Sequence, residues 1–391
     1  MKDIDIKCNK ERMNRVFKNQ SLICIIFLIL VLVGRLLVDD VIKEREFHND
    51  LKQSLVLYGD WLVRNQTERG DFNYELDVQS GEVSDSYNIV REAGGLYSLC
   101  HAYKYTSDSE YQLSIEKGIT FFETLFEEVE NTVPTTRINY LDERKSNAVA
   151  IFLLALVEYM ETDSDIKSKY LNMSKELANY LLYTQLESGG FLVTLDPKTE
   201  SDYNNGEAFL ALIRMYKVTG DERYLQGAQR AADYIISKYS KEEFNSAIYS
   251  WAMQGFAHLF TVDANPKYWD FMKFYTDSYF NSSGLYVSKY FEKEYANPPR
   301  ASLAVFLEGL SSVAWIAKET DSDYYSQIME YTERSLGYLM TLQINGPKSL
   351  KTSEFELLSG GICNDELCTK QRVDTTQHNL SAIYLYLQYA R

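Results

Sequence analysis

From residue 47 onward, apolar residues return at spacings of three and four in stretches of roughly fifteen to twenty residues, the signature of amphipathic helices. The pattern predicts helices over 47–65, 86–105, 109–128, 144–161, 165–186, 203–219, 221–239, 245–261, 266–280, 300–319, 323–342 and 375–390. In the sixth stretch Ala208, Phe209, Leu212, Ile213 and Tyr216 share one face, and in the seventh Tyr224, Leu225, Ala228, Ala231, Ala232 and Ile235 do so. Five brief turns of one type separate these stretches: Tyr105-Thr106-Ser107-Asp108, Glu161-Thr162-Asp163-Ser164, Val218-Thr219-Gly220-Asp221, Phe260-Thr261-Val262-Asp263 and Glu319-Thr320-Asp321-Ser322. Gly220 before Asp221 reads as a helix stop followed by an N-cap.

Connection lengths alternate. A brief turn follows each even helix, whereas most odd helices lead into long loops carrying glycine and aromatic residues: Gly70-Asp71-Phe72-Asn73-Tyr74, Gly189-Gly190-Phe191, Ser283-Gly284-Leu285-Tyr286 and Gly360-Gly361-Ile362. Six hairpins with short turns at one end and long loops at the other describe an all-α (α/α)6 toroid of about twelve helices, its even helices inside. An open α-solenoid also stacks helical pairs at a fixed period and is the alternative.

Over about residues 47–391 the chain resembles the six-hairpin toroid superfamily of carbohydrate-active proteins, which includes glycoside hydrolases, sugar epimerases and polysaccharide lyases. The resemblance is carried by Gln185-x-x-x-Gly189-Gly190-Phe191, by Asn205-Gly206-Glu207-Ala208 opening a helix, and by Tyr216 to Asp221 as a Tyr-x-x-Thr-Gly-Asp turn. It implies a glycan ligand at the rim formed by the long loops.

Ahead of the helical array, Leu22 to Val38 is apolar apart from Gly34 and Arg35, long enough to cross a bilayer if Arg35 snorkels. Lys2, Lys7, Lys10, Arg12, Arg15 and Lys18 precede it and Asp39 and Asp40 follow, so the positive-inside rule keeps the N-terminus cytoplasmic. The expected organisation is a cytoplasmic tail over 1–20, a transmembrane anchor over 21–38 and an extracytoplasmic toroid domain over 39–391. No small-x-small cleavage site follows the apolar run, which favours a retained anchor over a cleaved signal peptide. A net charge of −16 argues against a nucleic-acid surface. Cys363 and Cys368 share one exported loop where a short-loop disulfide fits, and Asn65, Asn172, Asn281 and Asn379 lie in glycosylation sequons.

Polar residues concentrate at the N-terminal ends of the even helices: Asn88, Arg91 and Glu92, Arg144, Asn204 and Glu207, Tyr249, Arg300, and Asp374 and His378. Caps account for several of these acceptors, because helix N-termini favour Asn and acidic residues. They do not account for Arg91, Arg144 and Arg300, since the helix dipole disfavours cations there. Neighbouring carboxylates or an anionic ligand must accommodate them.

Glycosidic hydrolysis needs two carboxyl groups flanking the scissile bond. Glu92, Glu207 and Asp374 are the candidate catalytic residues, with Glu92 as an ionised base beside Arg91 and Glu207 as a partly buried acid. Tyr87, Asn88, Arg91, Arg144, Asn204, Tyr249, Arg300 and His378 are the candidate substrate-binding residues. The expected function is a membrane-anchored glycoside hydrolase acting on an oligo- or polysaccharide, with the arginines fitting a uronic-acid substrate. Two alternatives stand beside it: a polysaccharide lyase or uronate epimerase working through tyrosine and arginine, and a non-catalytic glycan-binding protein of a polysaccharide pathway. No cofactor or metal is expected, for the sequence holds no phosphate loop, His-Glu-x-x-His or nucleophile elbow.

Overall fold

The computed structural model describes residues 41–282, 300–345, 355–364 and 367–390. The tail and anchor expected over 1–38, and the loop at Ser283 to Tyr286, lie outside these residues. The chain divides into two compact units, Met1–Lys52 and Gln53–Arg391.

The larger unit is helical. A first helix, α1, covers residues 41–65 and ends within this unit. It is followed by α2 (Ile89–Thr106), α3 (Ser109–Glu123), α4 (Ser146–Met160), α5 (Ser164–Thr184), α6 (Asp202–Thr219), α7 (Glu222–Tyr239), α8 (Ser246–Phe260), α9 (Pro266–Ser282), α10 (Ala301–Thr320) and α11 (Ser322–Thr341). A single turn, α12 (Phe355–Leu358), precedes α13 (Val373–Leu385), which runs into a π-helical turn at Tyr386–Ala390. Aspartates of four of the short turns cap the helices that follow, Asp221 as expected from its place after Gly220. Asp108, Asp163, Asp221 and Asp321 each accept a hydrogen bond from a first-turn backbone N–H, an arrangement that contributes about 1 kcal/mol per helix. At the fourth turn the cap is Asn265, whose Oδ1 accepts from the Lys267 N–H, rather than Asp263.

Packing shows that the array closes. α2 packs on α4, α4 on α6, α6 on α8, α8 on α10, α10 on α13, and α13 returns to α2. An open solenoid would leave the last pair without contact. The inner helices are therefore covered all round, and Ala148 to Met160 of α4 form one unbroken buried run. Outer α7, in contrast, buries one stripe built from Tyr224, Ala228, Ala231, Ala232, Ile235 and Tyr239. Among the described residues α10 is the one helix long and apolar enough to cross a membrane, yet it is an inner-ring helix with most of its residues buried.

One structural device recurs at three of the long loops. The side-chain amides of Gln66, Gln185 and Gln343 donate to the carbonyls of Gly70, Gly189 and Gly360. Those glycines have φ of 107°, 100° and 87°, which side-chain-bearing residues rarely adopt. A Cβ on any of them would also strike the carbonyl oxygen of Lys117, Arg230 or Leu57 on an outer helix. Each of these glutamine–glycine pairs is thus a clasp between successive outer helices, and Gln185-x-x-x-Gly189-Gly190-Phe191 is the one of the three with the full motif.

Three two-stranded ribbons depart from the all-helical expectation. β1 (Glu75–Asp77) pairs antiparallel with β6 (Lys370–Arg372), β2 (Phe126–Glu128) with β3 (Thr136–Ile138), and β4 (Leu192–Leu195) with β5 (Lys198–Glu200). The helix expected over 109–128 stops at Glu123 because Phe126, edge-on to Phe152, belongs to such a ribbon. The β1–β6 pairing joins the first long loop to the strand leading into α13, so it ties the two ends of the toroid.

Candidate active site

All six inner helices present their N-terminal ends to the same opening, and a cavity of about 500 Å³ lies there. Each wall comes from a different helix: Asn88, Arg91 and Gly94 from α2, Lys145 and Asn147 from α4, Tyr203 and Glu207 from α6, Ser246 and Trp251 from α8, Ser302 and Val305 from α10, and Arg372, Asp374, Gln377 and His378 from α13 and its approach. Convergence of so many first-turn residues follows from the parallel inner ring, which leads every even helix in from the long-loop side.

Glu207 is the most unusual of these groups. It is 4% exposed, and its Oε2 is buried with no hydrogen-bond partner among the described residues. Burial without a compensating cation pushes its carboxyl up to about 8, so it holds its proton at neutral pH. Local sequence creates this placement. Gly206 lets α6 approach α8 so closely that a Cβ would stand 2.8 Å from the Trp251 Cβ. The two asparagines ahead of it are occupied: Asn205 Oδ1 accepts from the Phe191 N–H, and Asn204 Oδ1 accepts from Ser146 Oγ at 2.9 Å.

The opposite wall is charged. In the ring, α13 stands three positions from α6 in either direction, hence across the bore from it. Asp374 accepts from Arg372 through both oxygens, Nε at 2.8 Å and Nη2 at 2.5 Å, and Arg91 Nε lies 3.2 Å from its Oδ2. Arg91 also donates to the Tyr74 hydroxyl. One turn further along α13, His378 Nδ1 lies 2.9 Å from Oε1 of the buried Glu308 on α10. Burial disfavours a charge on this ring, but Glu308 and then Asp374 outweigh that and raise its pKa above the ordinary value.

Of the residues expected from sequence, Asn88, Arg91, Glu207, Asp374 and His378 line the cavity. The others have different neighbours. Glu92 is fully buried, accepts from the Phe72 N–H at 2.7 Å, and so does for the Gly70–Tyr74 loop what Asn205 does for the Gly189-Gly190-Phe191 loop. Desolvation, with Asp71 adding to it, pushes Glu92 up to about 8 against the pull of that hydrogen bond. Tyr87 stacks on Tyr140, and Arg144 pairs with Glu127 at 2.9 Å. The Tyr249 hydroxyl lies 2.9 Å from Thr276 Oγ1 in the core, and Arg300 donates to the Cys363 carbonyl. Cys363 and Cys368 are bridged.

Trp251, Lys145, Tyr203 and Glu308 were not among the expected residues. Glu308 had a legible signal: a lone acid in the apolar run from Leu303 to Ala317 must be buried and partnered. The cavity residues of α8 had none, because Trp251 reads as core. His101 and His258 sit at the far ends of the inner helices, where Glu158 binds Lys104 at 2.5 Å and Arg214 at 2.6 Å. Desolvation lowers both rings, that of His101 to about 3.

Residues 70–246 match the sequence pattern described as glycosyl hydrolase family 76. No protein of curated function matches the chain. The alpha-1,6-mannanase GH76A of Salegentibacter sp. HEL1_6 superposes with a TM-score of 0.66 at 12% identity over 86% of this chain and 99% of its own. A family 76 mannosidase of Bacteroides thetaiotaomicron VPI-5482 gives 0.63 at 14% identity over 86% and 97%, and a D-mannose isomerase gives 0.61 at 15% identity over the same shares. The Salegentibacter enzyme was also solved as an inactive variant, two consecutive aspartates replaced by asparagine, in complex with alpha-1,6-mannotriose. In the present sequence consecutive aspartates occur at Asp39-Asp40 alone, outside the matched region. The chain therefore has an (α/α)6 toroid fold like that of these enzymes, with a match to the glycosyl hydrolase family 76 pattern across residues 70–246.

Proposed function

We propose that this protein is a glycoside hydrolase acting on an oligo- or polysaccharide, carried on an extracytoplasmic toroid domain (39–391) behind a cytoplasmic tail (1–20) and a membrane anchor (21–38). The observation that carries the reading is Glu207: a buried, partnerless carboxyl in an open cavity, facing the charged wall of α13 across the bore. A protonated acid on one side and a proton acceptor on the other is the arrangement that glycosidic cleavage requires. Half-exposed Tyr203 and the edge of Trp251 give the cavity aromatic surface for a sugar ring. Mannose-containing glycans are the first substrates to try, given what the structural neighbours act on. Arg91, Arg372 and Lys145 around the opening favour a glycan that bears an acidic group, uronic acids included.

Full-length protein incubated in ¹⁸O-water with α-mannan oligosaccharides and with uronic-acid glycans, followed by mass spectrometry, tests this. A product carrying one ¹⁸O per cleavage is expected. An unsaturated uronate product would replace hydrolysis by a lyase reaction. The missing consecutive aspartates within residues 70–246 favour a second reading, a glycan-binding protein without turnover. Binding without any product, unchanged by Glu207→Gln, would establish it.

A further inference from the structure

The His378 ring is held by a chain of buried groups that glycan binding alone does not require. Nδ1 faces Glu308 Oε1 at 2.9 Å, Glu308 Oε2 accepts from Ser250 Oγ at 2.9 Å, and the Gln254 amide donates to that same Ser250 oxygen at 3.3 Å. Glu308 is 2% exposed, so both its oxygens are spent on orienting the imidazole and accepting from the serine. A carboxylate can only accept, which makes Nδ1 the protonated nitrogen and leaves Nε2 as the basic one. Nε2 has no hydrogen-bond partner among the described residues, and the ring lines the cavity. Asp374, the other acceptor on this wall, is occupied by two guanidiniums.

We propose that His378 Nε2 is the proton acceptor opposite Glu207, and that buried Glu308 is the positioning residue that fixes its tautomer and its aim. This rests on the hydrolase reading for the reaction, though not for the tautomer. In the step implied, Glu207 gives its proton to the glycosidic oxygen as the bond from that oxygen to the anomeric carbon breaks. Water adds to the anomeric carbon and its proton passes to His378 Nε2, so that one water is consumed and no other co-reactant is needed. Asp374 then serves to hold Arg91 and Arg372 at the rim. The groups facing the ring are Glu308 from α10, Asp374 from its own helix, Arg91 from α2 and Trp251 from α8.

The test has two arms on the full-length protein. With its four histidines ¹⁵N-labelled, long-range proton–nitrogen correlation should show His378 as the Nδ1–H tautomer, and Glu308→Gln should abolish that preference and move its titration to lower pH. An unchanged tautomer and titration in Glu308→Gln would overturn the positioning role. In the kinetic arm, His378→Gln should lower kcat at least 100-fold with KM within threefold. Glu308→Gln should shift the acidic limb of the pH profile down while Glu308→Asp restores it in part. Loss confined to KM would make His378 a binding residue and overturn its role as acceptor. A wild-type chain that turns over none of the glycans refutes the hydrolase reading and the proton-transfer step with it, while the resonance arm still decides what Glu308 does.

Discussion

Glu207→Gln tests the buried acid without a substrate, through the pH dependence of stability. In the folded chain burial pushes this carboxyl up to about 8, against 4.5 for an unburied glutamate. Between those values the unfolded chain has released the proton and the folded chain retains it, so the folded state binds more protons and stability falls as pH rises. Each pH unit in that window removes about 1.4 kcal/mol, and the 2.5 units from pH 5 to 7.5 remove about 3 kcal/mol through this one group. Glutamine cannot ionise and escapes the loss. Urea unfolding of full-length wild type and Glu207→Gln, followed by tryptophan fluorescence at half-unit steps from pH 5 to 8.5, should give a stability difference that moves in the variant's favour by about 3 kcal/mol between pH 5 and pH 7.5 and levels off above pH 8. Taking the difference cancels every other titrating group and any constant effect of burying an amide. A difference flat to within about 0.5 kcal/mol would mean that Glu207 ionises in the folded protein as it does in water, and no neutral acid would then face α13.

Two further substitutions probe the frame that holds the site. Arg214→Met leaves Glu158 buried with Lys104 as its remaining close cation, and should lower unfolding free energy by about 3–5 kcal/mol in the same assay; a loss below about 1 kcal/mol would show that the cluster relaxes into solvent. Gly206→Ala forces α6 away from Trp251 at a 2.8 Å clash and should lose roughly 1–3 kcal/mol with a shifted tryptophan emission maximum. An unaltered emission spectrum with full stability would mean that the close approach of α6 and α8 is not needed to seat Glu207.

Much of the architecture was legible along the chain. Helices appeared where three-and-four spacing ran for a dozen residues or more, because burying one face of a helix constrains every turn of it. The cap at Asp221 was readable because a capping side chain acts on a backbone N–H two or three residues away. The β2 strand was not, since Phe126 extends an apolar helix in sequence and only its partner Ile138 makes it a strand.

The site divides along the same line. Sequence by itself determined that polar groups gather at one end of the inner helices, for each such group belongs to its own helix's first turn. It also placed Glu207, Asp374 and His378 among them. Which of these share a cavity was decided by ring closure: α6 and α13 lie far apart in the chain and face each other because α13 packs back onto α2. Tertiary structure alone turned Glu92 toward the Phe72 N–H and Arg144 toward Glu127, and it alone set Glu308 behind His378. Burial and long-range pairing depend on what surrounds a residue in space, and the periodicity of a single chain reports only which face of its own helix that residue occupies.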